Sequence, residues 1–244
     1  MKIRDILKYN DSDLNEILKF ILNLDLLKNL DYALSIKEER KYKLLKKRLD
    51  KKEPVEYITK KVYFHKYEFF VNKNVLIPRQ DTQSILPYLL KYNSVLDIGT
   101  GSGAVGISTK KENPNISVTL SDISERALYV AKKNAKGLDI KIVKSDLTKN
   151  INIKNFECIF ANLPYIKDID KLPDSVKLYE PFIALYGGSN GIVLIKKLIK
   201  ELKDKKWIGD LYLELDPFQI KYISCNKEII KDQYKIDRFI KIKF

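Results

Sequence analysis

Val-Leu-Asp-Ile-Gly-Thr-Gly-Ser-Gly, residues 95–103, is the stretch that decides the fold. Its apolar start predicts a short buried strand, and the glycines at alternate positions predict a tight turn into a helix. Glycine permits such a turn and lets the backbone approach a ligand closely. The spacing is one residue shorter than the dinucleotide fingerprint, and Asp97 lies two positions before the first glycine. The pattern therefore points away from a pyrophosphate and towards a nucleoside ligand with a cationic group.

An acidic residue follows the next predicted strand. Residues 117–120 read Ser-Val-Thr-Leu, and this strand delivers Asp122 to the carboxyl edge of the sheet. Open α/β sheets bind their ligands at that edge. A carboxylate there can accept hydrogen bonds from both hydroxyl groups of a ribose, so Asp122 is a candidate ribose-binding residue.

Two further predicted strands end at the same rim. Residues 140–143 lead to Asp146, and residues 158–160 lead to the turn Asn162-Leu163-Pro164-Tyr165. Four strand ends thus present a glycine loop, two acids and an Asn-x-Pro-Tyr turn in βαβ order. This constellation resembles the class I S-adenosylmethionine-dependent methyltransferases.

The rest of the chain predicts a domain on either side of a linker. Apolar residues at helical spacing through residues 1–56 predict a small helical domain, either a packing appendage or a substrate-recognition domain for a macromolecule. Aromatic and β-branched residues in 57–77 predict a β-hairpin linker. Residues 78–244 are then the methyltransferase domain. Later strands raise the count to seven, so we expect an α/β, Rossmann-like, seven-stranded sheet that ends in an antiparallel hairpin.

Composition limits the partners and the compartment. No run of eighteen apolar residues is present, so no membrane span is expected. Two cysteines offer neither a disulfide framework nor metal-ligand spacing, which favours a cytoplasmic protein without a metal. The net charge is +14, yet only six of the 46 basic residues are Arg, the residue that reads bases and phosphates bidentately. Sequence-specific nucleic-acid binding is therefore not expected.

The Asn162 turn indicates what kind of nucleophile is methylated. A side-chain carbonyl and backbone carbonyls facing one point suit a planar NH2 group, and Tyr165 offers a flat wall beside it. Two such hydrogen bonds would favour the charged, pyramidal transition state of an otherwise poor nitrogen nucleophile. From these residues alone, the candidates are glutamine or asparagine amides, adenine N6 and cytosine N4.

Most of the chain resembles the release-factor glutamine methyltransferases, the HemK or PrmC family. Ile-Pro-Arg-x-x-Thr at 77–82 and Glu-Pro-x-x-Ala-Leu at 180–185 are its most specific matches. The other matching segments are 53–59, 95–103, 122–134, 145–146, 162–165 and 187–188. One departure concerns the turn itself: Leu163 stands where the family usually has the first proline of Asn-Pro-Pro-Tyr.

The resemblance implies a reaction and a partner. The substrate would be the glutamine of the Gly-Gly-Gln motif in a peptide chain release factor, methylated on its side-chain amide nitrogen. S-adenosylmethionine would be the donor and S-adenosylhomocysteine the product. We expect a monomer. The alternatives are a ribosomal-protein glutamine methyltransferase, a nucleic-acid adenine or cytosine amino-methyltransferase, and a binding module that has lost its chemistry.

The resemblance also implies a role for each site residue. Asn162 and the Leu163 carbonyl would hold the glutamine NH2, and Pro164 and Tyr165 would shape the pocket. The residues that would contact the cofactor are Gly99, Thr100, Gly101, Ser102, Gly103, Asp122, Asp146, Leu147 and Asn162. Among them the loop wraps the cofactor, Asp122 binds the ribose, and Asp146 and Leu147 border the adenine.

Overall fold

The computed structural model describes all residues from 1 to 244 and divides into two compact units. The first unit comprises residues 1–61 and 173–179, and the second comprises residues 62–172 and 180–244. The predicted helical domain corresponds to most of the first unit, whereas the sheet lies in the second.

The first unit is helical. Its helices are α1 (Ile3–Leu7), α2 (Ser12–Leu22), α3 (Ile36–Asp50), α4 (Val55–Thr59) and, from the second segment, α8 (Asp174–Lys177). Asp11 caps α2 by accepting hydrogen bonds from the N–H groups of residues 13 and 14. Ser35 and Glu38 form a capping box at the start of α3. The apolar faces meet in a core that includes Ile17 and Leu18, both fully buried.

The hairpin is shorter than the sequence predicts. Residues 57–59, expected to begin it, belong to α4, because Pro54 starts the helix and Lys60 ends it in the left-handed region at φ 60°. The strands are β1 (Lys61–Phe64) and β2 (Tyr67–Phe70). Residues 75–77, which end the predicted linker, form no strand. Asn134 binds the N–H and the carbonyl of Phe70, at 2.8 and 2.9 Å, and so fixes the hairpin to the helix that Asn134 ends.

The second unit is built on the predicted seven-stranded sheet. Its strands are β3 (Ser94–Ile98), β4 (Ser117–Asp122), β5 (Lys141–Lys144), β6 (Cys158–Ala161), β7 (Asp210–Glu214), β8 (Glu228–Lys231) and β9 (Asp237–Lys243). Their order is β5-β4-β3-β6-β7-β9-β8. The first five are parallel, and β9 runs antiparallel to both β7 and β8. This arrangement confirms the predicted antiparallel final hairpin.

Helices and short turns cover this sheet. They are a 3-10 turn (Asp81–Ile85) with α5 (Leu86–Leu89), α6 (Ala104–Glu112), α7 (Glu125–Asn134), α9 (Phe182–Leu185), α10 (Val193–Asp204) and a 3-10 turn (Pro217–Tyr222). Helix α10 buries Ile195, Leu198 and Leu202 among the strands, as its helical spacing predicts. Both cysteines are free. Every helix is too short or too polar to cross a lipid bilayer.

Candidate active site

The glycine loop follows β3, at the carboxyl edge of the sheet. Gly99, Gly101 and Gly103 all have left-handed backbone conformations, at φ 71°, 56° and 83°. A β-carbon on Gly99 would lie 3.2 Å from Cδ2 of Leu163, whereas one on Gly101 would meet no protein atom within 4 Å. The loop is therefore packed against the Asn162 turn at one end and open to the cavity in its middle, as a ligand-binding loop requires.

Asp97 supports the loop from within the protein. Its Oδ2 accepts hydrogen bonds from Thr100 Oγ1 at 2.7 Å and from the Gly106 N–H at 3.1 Å. Burial raises the pKa of Asp97 to about 6, against the two hydrogen bonds that lower it. The carboxyl thus joins the loop to the first turn of α6.

Asp122 lies at the end of β4 beside the loop. Its Oδ2 accepts from the Gly101 N–H at 3.0 Å, and its Oδ1 accepts from the Ser124 N–H at 2.9 Å. A carboxylate offers about four acceptor positions, so each oxygen retains one for a ligand hydroxyl. Burial raises the pKa of Asp122, while these backbone hydrogen bonds lower it. The geometry suits two adjacent hydroxyl groups, as on a ribose.

Asp146 and Leu147 follow β5 and both line the cavity. Asp146 forms ion pairs with Lys149 at 2.6 Å and Lys197 at 3.0 Å, and these contacts lower its pKa. Leu147 is buried and has a positive φ of 51°, which turns the backbone at this point. The pair provides one apolar wall and one fixed carboxylate.

The turn Asn162-Leu163-Pro164-Tyr165 follows β6. Its first three residues line the cavity, whereas Tyr165, also expected in the pocket, does not. The Asn162 side chain lines the cavity and has no hydrogen-bond partner within the protein. Leu163 is only 4% exposed and belongs to the core of the sheet. The carbonyl of Tyr165 accepts from Gln219 Nε2 at 2.7 Å, and its hydroxyl donates to Glu214 Oε1 at 3.3 Å. The backbone is therefore held from behind while the Asn162 amide stays free.

The glycine-rich segment 187–191 packs directly against this turn. The Gly187 N–H donates to the Ile166 carbonyl at 2.9 Å. A β-carbon on Gly187 would lie 2.7 Å from the Cα of Tyr165, too close for any side chain. The segment therefore supports the Asn162 turn.

Two contacts were not foreseen from the sequence. Arg79 pairs with Glu180 at 2.5 Å, so the two most specific family segments meet beside the cavity. Thr82 Oγ1 donates to Glu214 Oε2 at 2.7 Å. The family specificity of residues 77–82 and 180–185 is the sequence signal for the first contact. An acidic residue at the end of an apolar strand is the signal for Glu214.

The cavity between these elements has a volume of about 290 Å³. The loop, Asp122, Leu147 and the Asn162 turn form its floor and sides, and an apolar face completes it. This face consists of Leu76, Ile183, Ala184 and Leu194. The free acceptor positions of Asp122, the open face of Gly101 and the apolar wall at Leu147 fit a nucleoside. No group of three His, Cys, Asp or Glu side chains could hold a metal ion.

Comparison with known proteins agrees with this geometry. Residues 78–183 match the family described as Methyltransferase small domain. A release factor glutamine methyltransferase of Clostridium acetobutylicum is 36% identical, over 81% of this chain and 80% of that protein. One from Flavobacterium psychrophilum is 34% identical, over 80% and 77%. One from Thermodesulfovibrio yellowstonii is 32% identical, over 97% and 95%.

Solved structures share the fold at lower identity. The hMettl16 catalytic domain in complex with the MAT2A 3'UTR hairpin 6 has a TM-score of 0.57 at 15% identity, over 72% of this chain and 75% of that chain. Human methyltransferase 10 domain containing protein has a TM-score of 0.50 at 14% identity, over 72% and 88%. These likenesses confirm the predicted class I methyltransferase fold.

Proposed function

The chain belongs to the release factor glutamine methyltransferases, and we propose that it methylates the Gly-Gly-Gln glutamine of a peptide chain release factor. The donor is S-adenosylmethionine, which supplies an electrophilic methyl group on a sulfonium sulfur. The product is a glutamine methylated on its side-chain amide nitrogen. One observation supports this function above all: the Asn162 amide faces the cavity without a partner, next to a backbone turn that other residues hold rigidly.

The cofactor would be held by the loop and its neighbours. Asp122 accepts two ribose hydroxyls through its remaining acceptor positions. Gly99, Thr100, Gly101 and Ser102 line the cavity and would wrap the cofactor, and Asp146 and Leu147 would border its adenine. Gly103, also expected at the cofactor, is outside the cavity lining and turns the backbone into α6 at φ 83°. Because these groups are fixed before binding, the methyl group is presented in a constant position.

The glutamine amide would be held by the Asn162 turn. The Asn162 side-chain carbonyl and the Leu163 backbone carbonyl accept the two amide hydrogens. Pro164 forms the wall of the pocket, and Tyr165 supports the turn from outside the cavity lining. These hydrogen bonds strengthen as positive charge develops on the nitrogen. The nitrogen–carbon bond forms as the carbon–sulfur bond breaks, and the surplus amide proton then leaves to solvent.

The first unit would serve the protein substrate. We propose a recognition domain in residues 1–56, a linker in 57–77 and a catalytic domain in 78–244. We further propose that the enzyme acts as a monomer in the cytoplasm, where its release factor terminates translation.

The test is transfer of labelled methyl from S-adenosylmethionine to a purified release factor. Parallel samples contain the same factor with the Gly-Gly-Gln glutamine changed to alanine, ribosomal proteins, DNA and ribosomal RNA. Label on the unchanged factor alone is the expected result. Label on a ribosomal protein or on nucleic acid would overturn the proposed substrate, and a cofactor-binding protein that labels nothing would overturn the proposed reaction.

A further inference from the structure

A buried carboxyl group lies behind the amide pocket. Glu214 ends β7 and is 1% exposed. It accepts a hydrogen bond from Thr82 at 2.7 Å and one from the Tyr165 hydroxyl at 3.3 Å. Thr82 lines the cavity, and Tyr165 ends the turn that carries Asn162. Glu214 therefore contacts one residue from each of two segments that form the pocket, although it does not itself line the cavity.

The charges around Glu214 make its ionisation responsive near neutral pH. Arg238 lies beside it but pairs with Asp81 at 3.1 Å and with Asp232 at 3.5 Å. The positive charge of the Arg238 guanidinium is thus shared among the carboxyl groups of Glu214, Asp81 and Asp232. Burial, and then the charge of Asp81, raises the pKa of Glu214 to about 7, whereas the Thr82 and Tyr165 hydrogen bonds and Arg238 lower it.

The two protonation states differ in how they hold Tyr165. As a carboxylate, Glu214 accepts from the Thr82 and Tyr165 hydroxyls at the same time. As a carboxylic acid, it must place its own hydrogen towards one of these partners. That partner's hydroxyl hydrogen then loses its acceptor in a buried site, which is unfavourable. Only the carboxylate accepts from both hydroxyls at once.

We propose that Glu214 is the positioning residue of the amide pocket, and that its carboxylate form fixes Tyr165 and thereby the turn that carries Asn162. The inference rests on the proposed function, because it assumes that the Asn162 turn holds the methylated amide. It predicts that turnover depends on the ionisation of a residue that touches neither cofactor nor substrate. In this role Glu214 acts through Tyr165, and cofactor binding through Asp122 is independent of it.

The test compares pH profiles of turnover on a release factor at saturating cofactor. The unchanged enzyme should gain about tenfold in kcat between about pH 6 and pH 8, as a group with a pKa near 7 ionises. Glu214→Gln should lose about tenfold at the upper pH and show a flat profile, with cofactor affinity within about twofold of the unchanged enzyme. The inference would be overturned if the Glu214→Gln enzyme kept the pH-dependent limb. It would also be overturned if cofactor affinity fell by the same factor as turnover.

A matched control uses another carboxylate that binds a tyrosine in the same unit. Glu112 accepts from the Tyr67 hydroxyl at 2.6 Å, away from the cavity. Glu112→Gln should leave both the rate and the pH-dependent limb unchanged. If this variant also flattened the profile, the effect would not belong to Glu214 and the inference would fail.

A second measurement needs no substrate. The unfolding free energies of Glu214→Gln, Tyr165→Phe and the double variant form a cycle that measures their coupling. The double variant should lose less stability than the two single losses together. Coupling would uphold the link even if the unchanged protein labelled no release factor, a result that would overturn only the proposed function. Additive losses would overturn the link itself.

Discussion

Arg79 and Glu180 form an ion pair of 2.5 Å in which the Glu180 side chain is only 1% exposed. The same carboxylate accepts a hydrogen bond from the Ile77 N–H at 3.2 Å. The pair joins residues 101 positions apart and fixes the segment before α5 to the segment before α9. Both segments contribute residues to the cavity, so this contact sets the shape of its mouth.

Arg79→Gln should destabilise the protein by about 2 kcal/mol, because it leaves the Glu180 carboxylate buried without its cation. Urea unfolding measures the loss. Lys200→Gln is the control, since it breaks the exposed Lys200–Asp204 pair and should cost at most about 0.5 kcal/mol. Equal effects of the two substitutions would show that burial of Glu180 does not matter.

Asn162→Ala should lower turnover by about a hundredfold or more while the protein stays folded, because it removes an acceptor at the reacting nitrogen and breaks no internal hydrogen bond. Methyl transfer and thermal unfolding measure the two effects. Asn115→Ala, at an exposed site, is the control. Unchanged turnover in Asn162→Ala would show that the pocket is assigned wrongly.

Leu163→Ala should destabilise the protein by about 3 kcal/mol and lower turnover, because the Leu163 side chain is buried in the core under the Asn162 turn backbone and lies against Gly99. Leu163→Pro restores the residue usual in the family and restrains the backbone, so turnover should be equal or higher. Chemical unfolding and methyl transfer distinguish the variants. A large loss with proline would mean that the pocket is built around the leucine side chain.

Asp122→Asn should weaken cofactor binding about tenfold, because its NH2 group would oppose the N–H of Gly101 or of Ser124. In the unchanged protein, burial raises the pKa of Asp122. As the pH is lowered, cofactor affinity should therefore begin to fall at a higher pH than it would with an aspartate of ordinary pKa. Calorimetric titration of the cofactor across pH tests this, with the exposed Asp139→Asn as control. A pH-independent affinity would contradict the ribose assignment.

Asp97 should make stability depend on pH. Its pKa is raised from 3.8 to about 6, so the folded protein holds this proton more tightly than the unfolded chain. The resulting stabilisation is complete below about pH 4 and is lost as pH rises to about 6, in total about 3 kcal/mol. Asp97→Asn keeps an acceptor for Thr100 and Gly106 but cannot titrate. The unchanged protein should therefore lose stability relative to this variant across that pH interval, and parallel curves would contradict the assignment.

The sequence was sufficient for the parts of the site that follow strand ends. The glycine loop, Asp122, Asp146 and the Asn162 turn each come directly after a β-strand, and parallel strands bring their carboxyl ends to one edge. Local pattern and sheet geometry together therefore place these residues around one cavity. The cofactor and the family followed from the same residues.

The supporting contacts could not be predicted in this way. Glu214 meets Thr82 across 132 positions, and no periodicity in either segment indicates the pairing. The hairpin boundary failed for a different reason: residues 57–59 have side chains typical of strands, but Pro54 and the left-handed Lys60 enclose a short helix. The Glu214–Thr82 contact depends on long-range packing, and the hairpin boundary depends on backbone conformation. Side-chain preference alone predicts neither.

The position of β9 between β7 and β8 has a consequence for biosynthesis. While the chain is being made, β7 lacks its outer neighbour and β8 has no partner at all, because both pair only after β9 has been translated. The nascent protein thus carries an open sheet edge that could pair with other chains. Any arrest of translation before Asp237 would leave that edge exposed, so faulty mRNAs of this enzyme should yield chaperone clients or aggregates instead of a smaller working enzyme.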